Sequence, residues 1–350
     1  MLPQQAIADQ LGISRSAVAG HIMNLTRKGL IKGRGYVLSD APFVTVIGGA
    51  NIDIHGKSAA ALRQHDSNPG KVHISAGGVA RNIADNLARL GVDSRLITAV
   101  GNDQHGQVLM QLSRNAGINM QYVHRIANAP TSTYLAVLDE QGDMQVAIND
   151  MNIIEQLNVA MLAAHEAMLA QSAIIIVDCN LPADTLAWIG RHAAAIPLFA
   201  DTVSAAKAPR LQALLPSLHT LKTTASEIAA LTGRAARTQP QLRSVATELH
   251  ARGLKRLFVT RGEDGVFFSD GAQQGVRKPA LRRRAVPSTG GAGDAFLAGL
   301  AYSWLGNWTL ARSLQFALAA ADLTLSHPGS NSPALSVDTI SKVMEQQGAG

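Results

Sequence analysis

Short apolar runs recur along this 350-residue chain, each ending at a turn or polar residue and separated by longer segments of helical spacing. They are Val44-Thr45-Val46-Ile47, Leu96-Ile97-Thr98-Ala99-Val100, the run 173–177, Pro197-Leu198-Phe199-Ala200, Leu218-His219-Thr220-Leu221 and Leu257-Phe258-Val259-Thr260. Runs this short, without polar alternation, suit strands buried on both faces, which helices cover in a parallel sheet. The fold class expected is α/β, with a doubly wound, mostly parallel sheet. Two stretches, about 54–74 and 122–148, instead show polar alternation with turn signals, as a smaller and more exposed β element would.

Glycine punctuation marks where such a sheet would bind something. In Ser288-Thr289-Gly290-Gly291-Ala292-Gly293-Asp294-Ala295-Phe296 small residues run straight into a helical stripe, Leu297, Leu300, Ala301 and Trp304. Without side chains in the way, the backbone N–H groups of Gly291, Ala292 and Gly293 can approach a ligand closely. The helix start favours an anion, and Asp294 in its first turn can reach a hydroxyl. Donors for a migrating charge plus a base for an attacking alcohol are what phosphoryl transfer requires. Upstream, Asn51-Ile52-Asp53 follows the first strand, and Gly77-Gly78-Val79-Ala80-Arg81-Asn82 opens a helix striped by Val79, Ile83, Leu87 and Leu90. Asn and Asp just past a strand end lie where open α/β sheets bind ligands. Asp53 and Asn82 would supply hydrogen bonds to vicinal hydroxyls.

These three motifs, in this order, resemble those of the ribokinase (PfkB-type) carbohydrate kinase family, and the resemblance runs from about Phe43 to about Leu335. It implies a ribokinase-like domain at 43–346, whose 54–74 and 122–148 segments form a β lid that expels water from the sugar. It implies ATP and Mg²⁺ as cofactors. Asp294 would be the base, with Gly291, Ala292 and Gly293 as the anion hole. Asn51, Asp53, Gly77, Gly78, Asn82 and Asn149 would bind substrate, and Lys222, Thr224, Thr260, Gly262 and Gly265 the nucleotide. Glu227 would act on the metal through water. Further segments, Ser67-Asn68-Pro69-Gly70-Lys71, 147–152, Asp178-Cys179-Asn180 and Asp201-Thr202-Val203-Ser204, are similar to those of members that phosphorylate pseudouridine. The expected reaction is therefore phosphorylation of the 5′-hydroxyl of a ribosyl compound, pseudouridine first. Two other readings stay open: a kinase for ribose or fructose, and a DNA-binding regulator whose kinase-like domain senses a sugar. Two departures matter. Thr224 replaces the family's usual Asn in Asn-x-x-Glu, leaving Thr-x-x-Glu, which is also a capping box. Ser288 replaces an Asp that contributes to a monovalent-cation site, which leaves potassium dependence open.

The net charge of +6 is uneven. Residues 1–40 carry Arg15, Arg27, Lys28, Lys32 and Arg34 against Asp9 and Asp40. Pro3 opens a helix with Ile7, Ala8 and Leu11 inward, Gly12 turns, Ser14 caps a second helix, and Val18, Ile22 and Leu25 form its buried stripe. Residues 29–37 read as a strand–turn–strand wing. The segment resembles a winged helix-turn-helix that starts at its second helix, with the first missing. Arg15, Ser16, Asn24, Lys32 and Arg34 would face duplex DNA; the alternative is a helical appendage or dimerisation arm. Arg282-Arg283-Arg284 suits a solvated strand face. The lone Cys179 excludes an internal disulfide. No stretch is long and apolar enough for a signal peptide or membrane span, so no membrane partner is expected. The expectation is a cytoplasmic enzyme, as a homodimer.

Overall fold

Strand β3 (Phe43–Ile47) is buried along its whole length, and it sits where the direction of winding in the sheet reverses. The computed structural model describes residues 4–28, 30–32, 37–38, 42–193, 195–278 and 290–348. They divide into two compact units, Met1–Pro42 and Phe43–Gly350.

In the first unit the helices Gln4–Leu11 and Arg15–Arg27 precede a two-stranded ribbon, β1 (Ile31–Lys32) and β2 (Val37–Leu38). Ser14 caps the second helix, its hydroxyl accepting from the N–H of Ala17 at 3.1 Å. Ala8 and Val18 are buried, but Leu11, expected to point inward, is 64% exposed. It closes a short helix, and so small a unit offers little surface to cover it. Arg15, Ser16 and Asn24 are exposed. Arg34 and the Lys32 side chain lie outside the described residues, as do Ser288 and Arg282-Arg283-Arg284.

The second unit is built on the central sheet. Its remaining strands are β4 (Asn51–Ser58), β5 (Gly70–Gly77), β6 (Asp93–Ile97), β7 (Ala99–Gly101), β8 (His124–Ile126), β9 (Thr133–Leu138) and β10 (Met144–Asp150). They continue with β11 (Ile174–Asp178), β12 (Leu198–Asp201), β13 (Thr220–Thr224), β14 (Arg256–Thr260), β15 (Val266–Ser269) and β16 (Gln274–Arg277). The large sheet has the order β16-β15-β14-β13-β12-β11-β3-β6 and is parallel from β14 through to β6. This is the doubly wound, mostly parallel α/β sheet that the apolar runs predict. Side chains alternate between the sheet's two faces: Ile47, Ile175 and Val177 enter one apolar cluster, while Val44, Val46, Ile174 and Ile176 enter the other. Burying each such chain is worth roughly 1.5–3 kcal/mol relative to exposure. Both faces therefore drive the stacking of helices, and the strand ends are left for chemistry.

Two apolar runs differ from their sequence reading. The run 96–100 breaks at Thr98: β6 stays in the large sheet, while β7 leaves it to pair with β8. The carbonyl of Thr98 accepts from the N–H of His124 at 2.8 Å, diverting the chain there. The run at Leu218 enters the sheet later, at Thr220, because Leu215–Ser217 first forms a 3₁₀ turn.

A second sheet, β10-β9-β4-β5, carries most of the two segments of polar alternation, but the start of the 122–148 segment does not join it: β8 pairs with β7 instead, drawn there by the backbone of Thr98. Register puts Asp53 opposite Ser75 and Tyr134, and Tyr134 opposite Asn149, so these four share one face. Ile54, Ile74, Leu135 and Ile148 share the other. No helix among the described residues is long and apolar enough to cross a membrane.

Candidate active site

Because β3, β11, β12, β13 and β14 are parallel, their C-terminal ends open on one edge of the sheet. That edge carries Gly48 and Gly49, Asp178, Asp201, Thr224 and Thr260 in turn. Two helix starts face it, and both begin at a glycine with positive φ.

Gly78 (φ +98°) caps the helix Val79–Arg89, and a Cβ there would lie 2.5 Å from the Gly49 carbonyl oxygen and Ala50 Cα. Gly291 (φ +76°) caps the helix Ala292–Leu305, and a Cβ there would run into the carbonyl of Ser330. Only glycine fits either place. Gly77 is held against the Asp53 carboxylate in the same way. The backbone constraint thus comes from close packing, which fixes each of the two helix starts.

Between them, Nδ2 of Asn82 donates to Oδ2 of Asp294 at 3.0 Å. Asp294 is only 6% exposed. Burial, then the charge of Asp201, pushes its carboxyl up to about 8 against the opposing pull of Lys222 and the Asn82 hydrogen bond. Lys222 Nζ donates to Oδ2 of Asp201 at 2.9 Å and lies against Gly293, where any Cβ would displace it. Burial would lower the pKa of this ammonium, but Asp201 and Asp294 outweigh it and hold it above the ordinary lysine value. A buried cation beside the positive end of a helix is a site that gains from an anion. Asp201 is held in turn by the N–H of Val203 at 2.7 Å. Val203 has φ +64°, a costly conformation for a β-branched residue.

On the β3 side, Nδ2 of Asn51 donates to Oδ1 of Asp53 at 2.6 Å, with both residues buried. Burial raises the Asp53 pKa, opposed by that hydrogen bond and by the charges of His55 and Arg81. Asp178, fully buried, accepts from the N–H groups of Gly49 (2.9 Å), Ala80 (3.0 Å) and Asn180 (2.9 Å), tying the β3 end, the helix start and β11 together. On the β13 side, Thr224 and Glu227 form the capping box: the Thr224 hydroxyl accepts from the Glu227 N–H, and Oε2 of Glu227 accepts from the Thr224 N–H at 2.9 Å. The same oxygen accepts from the Thr202 hydroxyl at 2.5 Å. Thr260 pairs with Thr224 across β13 and β14, and Gly262 and Gly265 form the turn that follows.

The structure therefore brings Asn82, Lys222, Gly293 and Asp294 into one cluster, with Asn51, Asp53, Gly77 and Gly78 at its β3 end. Thr224, Thr260, Gly262 and Gly265 lie along the β13–β14 end. Asn149 stays exposed, on the same sheet face as Asp53 but two strands away. The list of candidate residues drawn from sequence left out Asp178 and Asp201, although each is an aspartate closing an apolar run, the same signal that singled out Asn51 and Asp53. It also left out Arg81, which the Gly77–Asn82 motif contains, and Ser330 and Asn331, which no motif marks. Cys179 is fully buried, and burial pushes its thiol up.

The pfkB family carbohydrate kinase profile matches residues 41–337. A winged helix-turn-helix DNA-binding profile matches residues 2–32. The chain is 40% identical over 340 residues to an uncharacterized sugar kinase, YeiI, of Escherichia coli K12, covering 97% of this chain and 93% of that one. It is 38% identical over 308 residues to the pseudouridine kinase of the same organism, covering 88% and 98%. Among solved structures, a carbohydrate kinase from Agrobacterium tumefaciens superimposes with a TM-score of 0.76 at 32% identity, covering 87% of this chain and 97% of that one.

Proposed function

The chain belongs to the pfkB family of carbohydrate kinases, and from that premise, a sugar or nucleoside kinase with an alcohol acceptor, we propose that it moves the γ-phosphoryl group of ATP to the 5′-hydroxyl of pseudouridine. The observation that carries the chemistry is Asp294, held by Asn82 at 3.0 Å in the first turn behind Gly291–Gly293. Its carboxylate takes the proton of the attacking hydroxyl, and a pKa raised to about 8 makes it a strong base once ionised. The N–H groups of Gly291, Ala292 and Gly293, with the Lys222 ammonium, stabilise the charge that develops on the transferred phosphoryl group. Asn51, Asp53, Gly77, Gly78 and Asn82 orient the ribose, and Asn149 closes over it from the second sheet. Thr224, Thr260, Gly262 and Gly265 take the nucleotide.

Among the described residues no three carboxylate, His or Cys side chains are grouped to hold a metal directly. A donor-poor site of this kind suits Mg²⁺, which keeps several waters and binds chiefly through phosphates. Glu227 would hold those waters, and the ion when bound neutralises phosphate charge. Pseudouridine as substrate rests on the 38% identity to the E. coli pseudouridine kinase. Its test is an ATP-consumption screen over free sugars and nucleosides, pseudouridine included. Turnover of ribose or fructose alone would overturn that assignment.

In this reading the domains are 1–40 and 43–346, and the β10-β9-β4-β5 sheet is the lid. Its outward apolar face, with Val72 71%, Ile74 51% and Ile148 62% exposed, suits a homodimer contact. The 2–32 profile match supports DNA binding by the first unit, through Arg15, Ser16 and Asn24 together with Lys32 and Arg34. An ATP-dependent reaction of this kind belongs in the cytoplasm.

A further inference from the structure

Arg81 and Asn331, 250 residues apart, are joined in a way that the proposed chemistry does not use. Nη1 of Arg81 donates to Oδ1 of Asn331 at 3.0 Å, and Nδ2 of Asn331 donates to the carbonyl of Asn82 at 3.1 Å. One carboxamide thus bridges two successive residues of the helix's first turn. The same Nη1 lies 3.3 Å from Oδ1 of Asn82 and 3.4 Å from the carbonyl of Ala76, near the end of β5. Nη2 is paired with Asp85 at 2.6 Å, both side chains being almost fully buried. Next to Asn331, the Ser330 carbonyl is the group against which Gly291 packs. The 330–331 loop therefore touches the anion loop on one side and the Asn82 turn on the other.

We infer that Arg81 and Asn331 are positioning residues, which fix Asn82 and the Gly291 loop relative to one another so that Asn82 holds the Asp294 carboxylate in register for the acceptor hydroxyl. A planar guanidinium with several fixed donors can serve the β5 end, the Asn82 side chain and Asn331 at once, which a lysine ammonium cannot do in the same geometry. Active sites lose much of their rate when a reacting group is misplaced by about 1 Å. The inference rests on Asp294 acting as base.

The test uses the full-length enzyme with pseudouridine, and in parallel with ribose, as acceptor. Asn331→Ala is the primary variant, because Asn331 is only partly buried, lies in a loop, and its loss leaves the Arg81–Asp85 pair whole. Arg81→Lys is the second, keeping the charge opposite Asp85. Asn331→Ala should melt near the wild type and Arg81→Lys somewhat below it, yet each should lose about tenfold or more in kcat with the KM for ATP within about twofold. The acid limb of the kcat profile should also move to higher pH, since a loosened Asn82 hydrogen bond no longer favours the Asp294 carboxylate. Wild-type kcat in both variants, or a loss of kcat with an unmoved acid limb, overturns the inference. Asp294→Asn separates the two failures. If that variant still turns over, the base assignment is at fault; if it is inactive while Asn331→Ala is normal, the positioning role is at fault.

Discussion

The side-chain amide of Asn82 meets the carboxylate of Asp294 at 3.0 Å, across 212 residues of chain. Each residue stands in the first turn of a glycine-capped helix, and each helix is fixed by a backbone contact that no larger residue tolerates. The contact joins the Val79–Arg89 helix start to the glycine loop before Ala292–Leu305. In the kinase reaction proposed above it is the point at which acceptor hydroxyl and phosphoryl group would meet.

Asp294→Asn should lower kcat by about 10²–10⁴-fold, the usual worth of a general base, with acceptor binding by calorimetry little changed. In the wild type, kcat/KM should rise with pH towards about 8, because the folded carboxyl holds its proton to that point and only the ionised form accepts another. A variant that keeps more than about a third of wild-type kcat contradicts the assignment. So does a kcat/KM profile flat between about pH 6 and pH 9.

Gly291→Ala and Gly293→Ala should behave differently. At Gly291 the new methyl meets the Ser330 backbone, and φ is +76°, so stability should fall by more than about 1 kcal/mol along with activity. At Gly293 it meets only the far end of the Lys222 side chain. That variant should lose less stability than Gly291→Ala, because a side chain rather than backbone must give way, yet lose kcat, because the ammonium must leave the anion loop. Normal turnover in Gly293→Ala would remove Lys222 from the phosphoryl site.

Asp53→Ala should raise the acceptor KM strongly, and the wild type should reject 2′-deoxy analogues by a large factor. A buried pair such as Asn51 and Asp53 would be left without its hydroxyl partners by a deoxy sugar. Steady-state kinetics on matched ribosyl and deoxyribosyl compounds decide this, and equal rates would refute it.

Removal of residues 1–40 should leave kcat within about threefold, since every residue given a part in the chemistry lies in the second unit. Fluorescence anisotropy of the full chain with a duplex from its own promoter should show binding that weakens steeply with salt, as phosphate contacts release counterions. Charge reversal at Arg15 should reduce it. Absence of binding at low salt would leave the helical appendage as the reading.

What the sequence by itself determined is local. Apolar runs such as Val44–Ile47 specify strands buried on both faces, because alternate side chains must leave water on opposite sides. The glycine pairs specify helix starts, and Thr224 with Glu227 specifies a cap, because those need only three or four neighbouring residues. Even there Thr98 shows the limit: a continuous apolar run divides between two sheets, and nothing in its composition marks the break. What the tertiary structure alone decided is convergence. Sheet order sets Asp201 beside Lys222, helix packing sets Asn82 against Asp294, and a loop without any motif sets Asn331 on Arg81. Such pairings are not encoded by spacing along the chain, since they depend on which strand lies next to which and how closely two backbones approach. The raised pKa of Asp294 belongs to the same class, for it arises from burial and from the charge of a carboxylate 93 residues away in sequence.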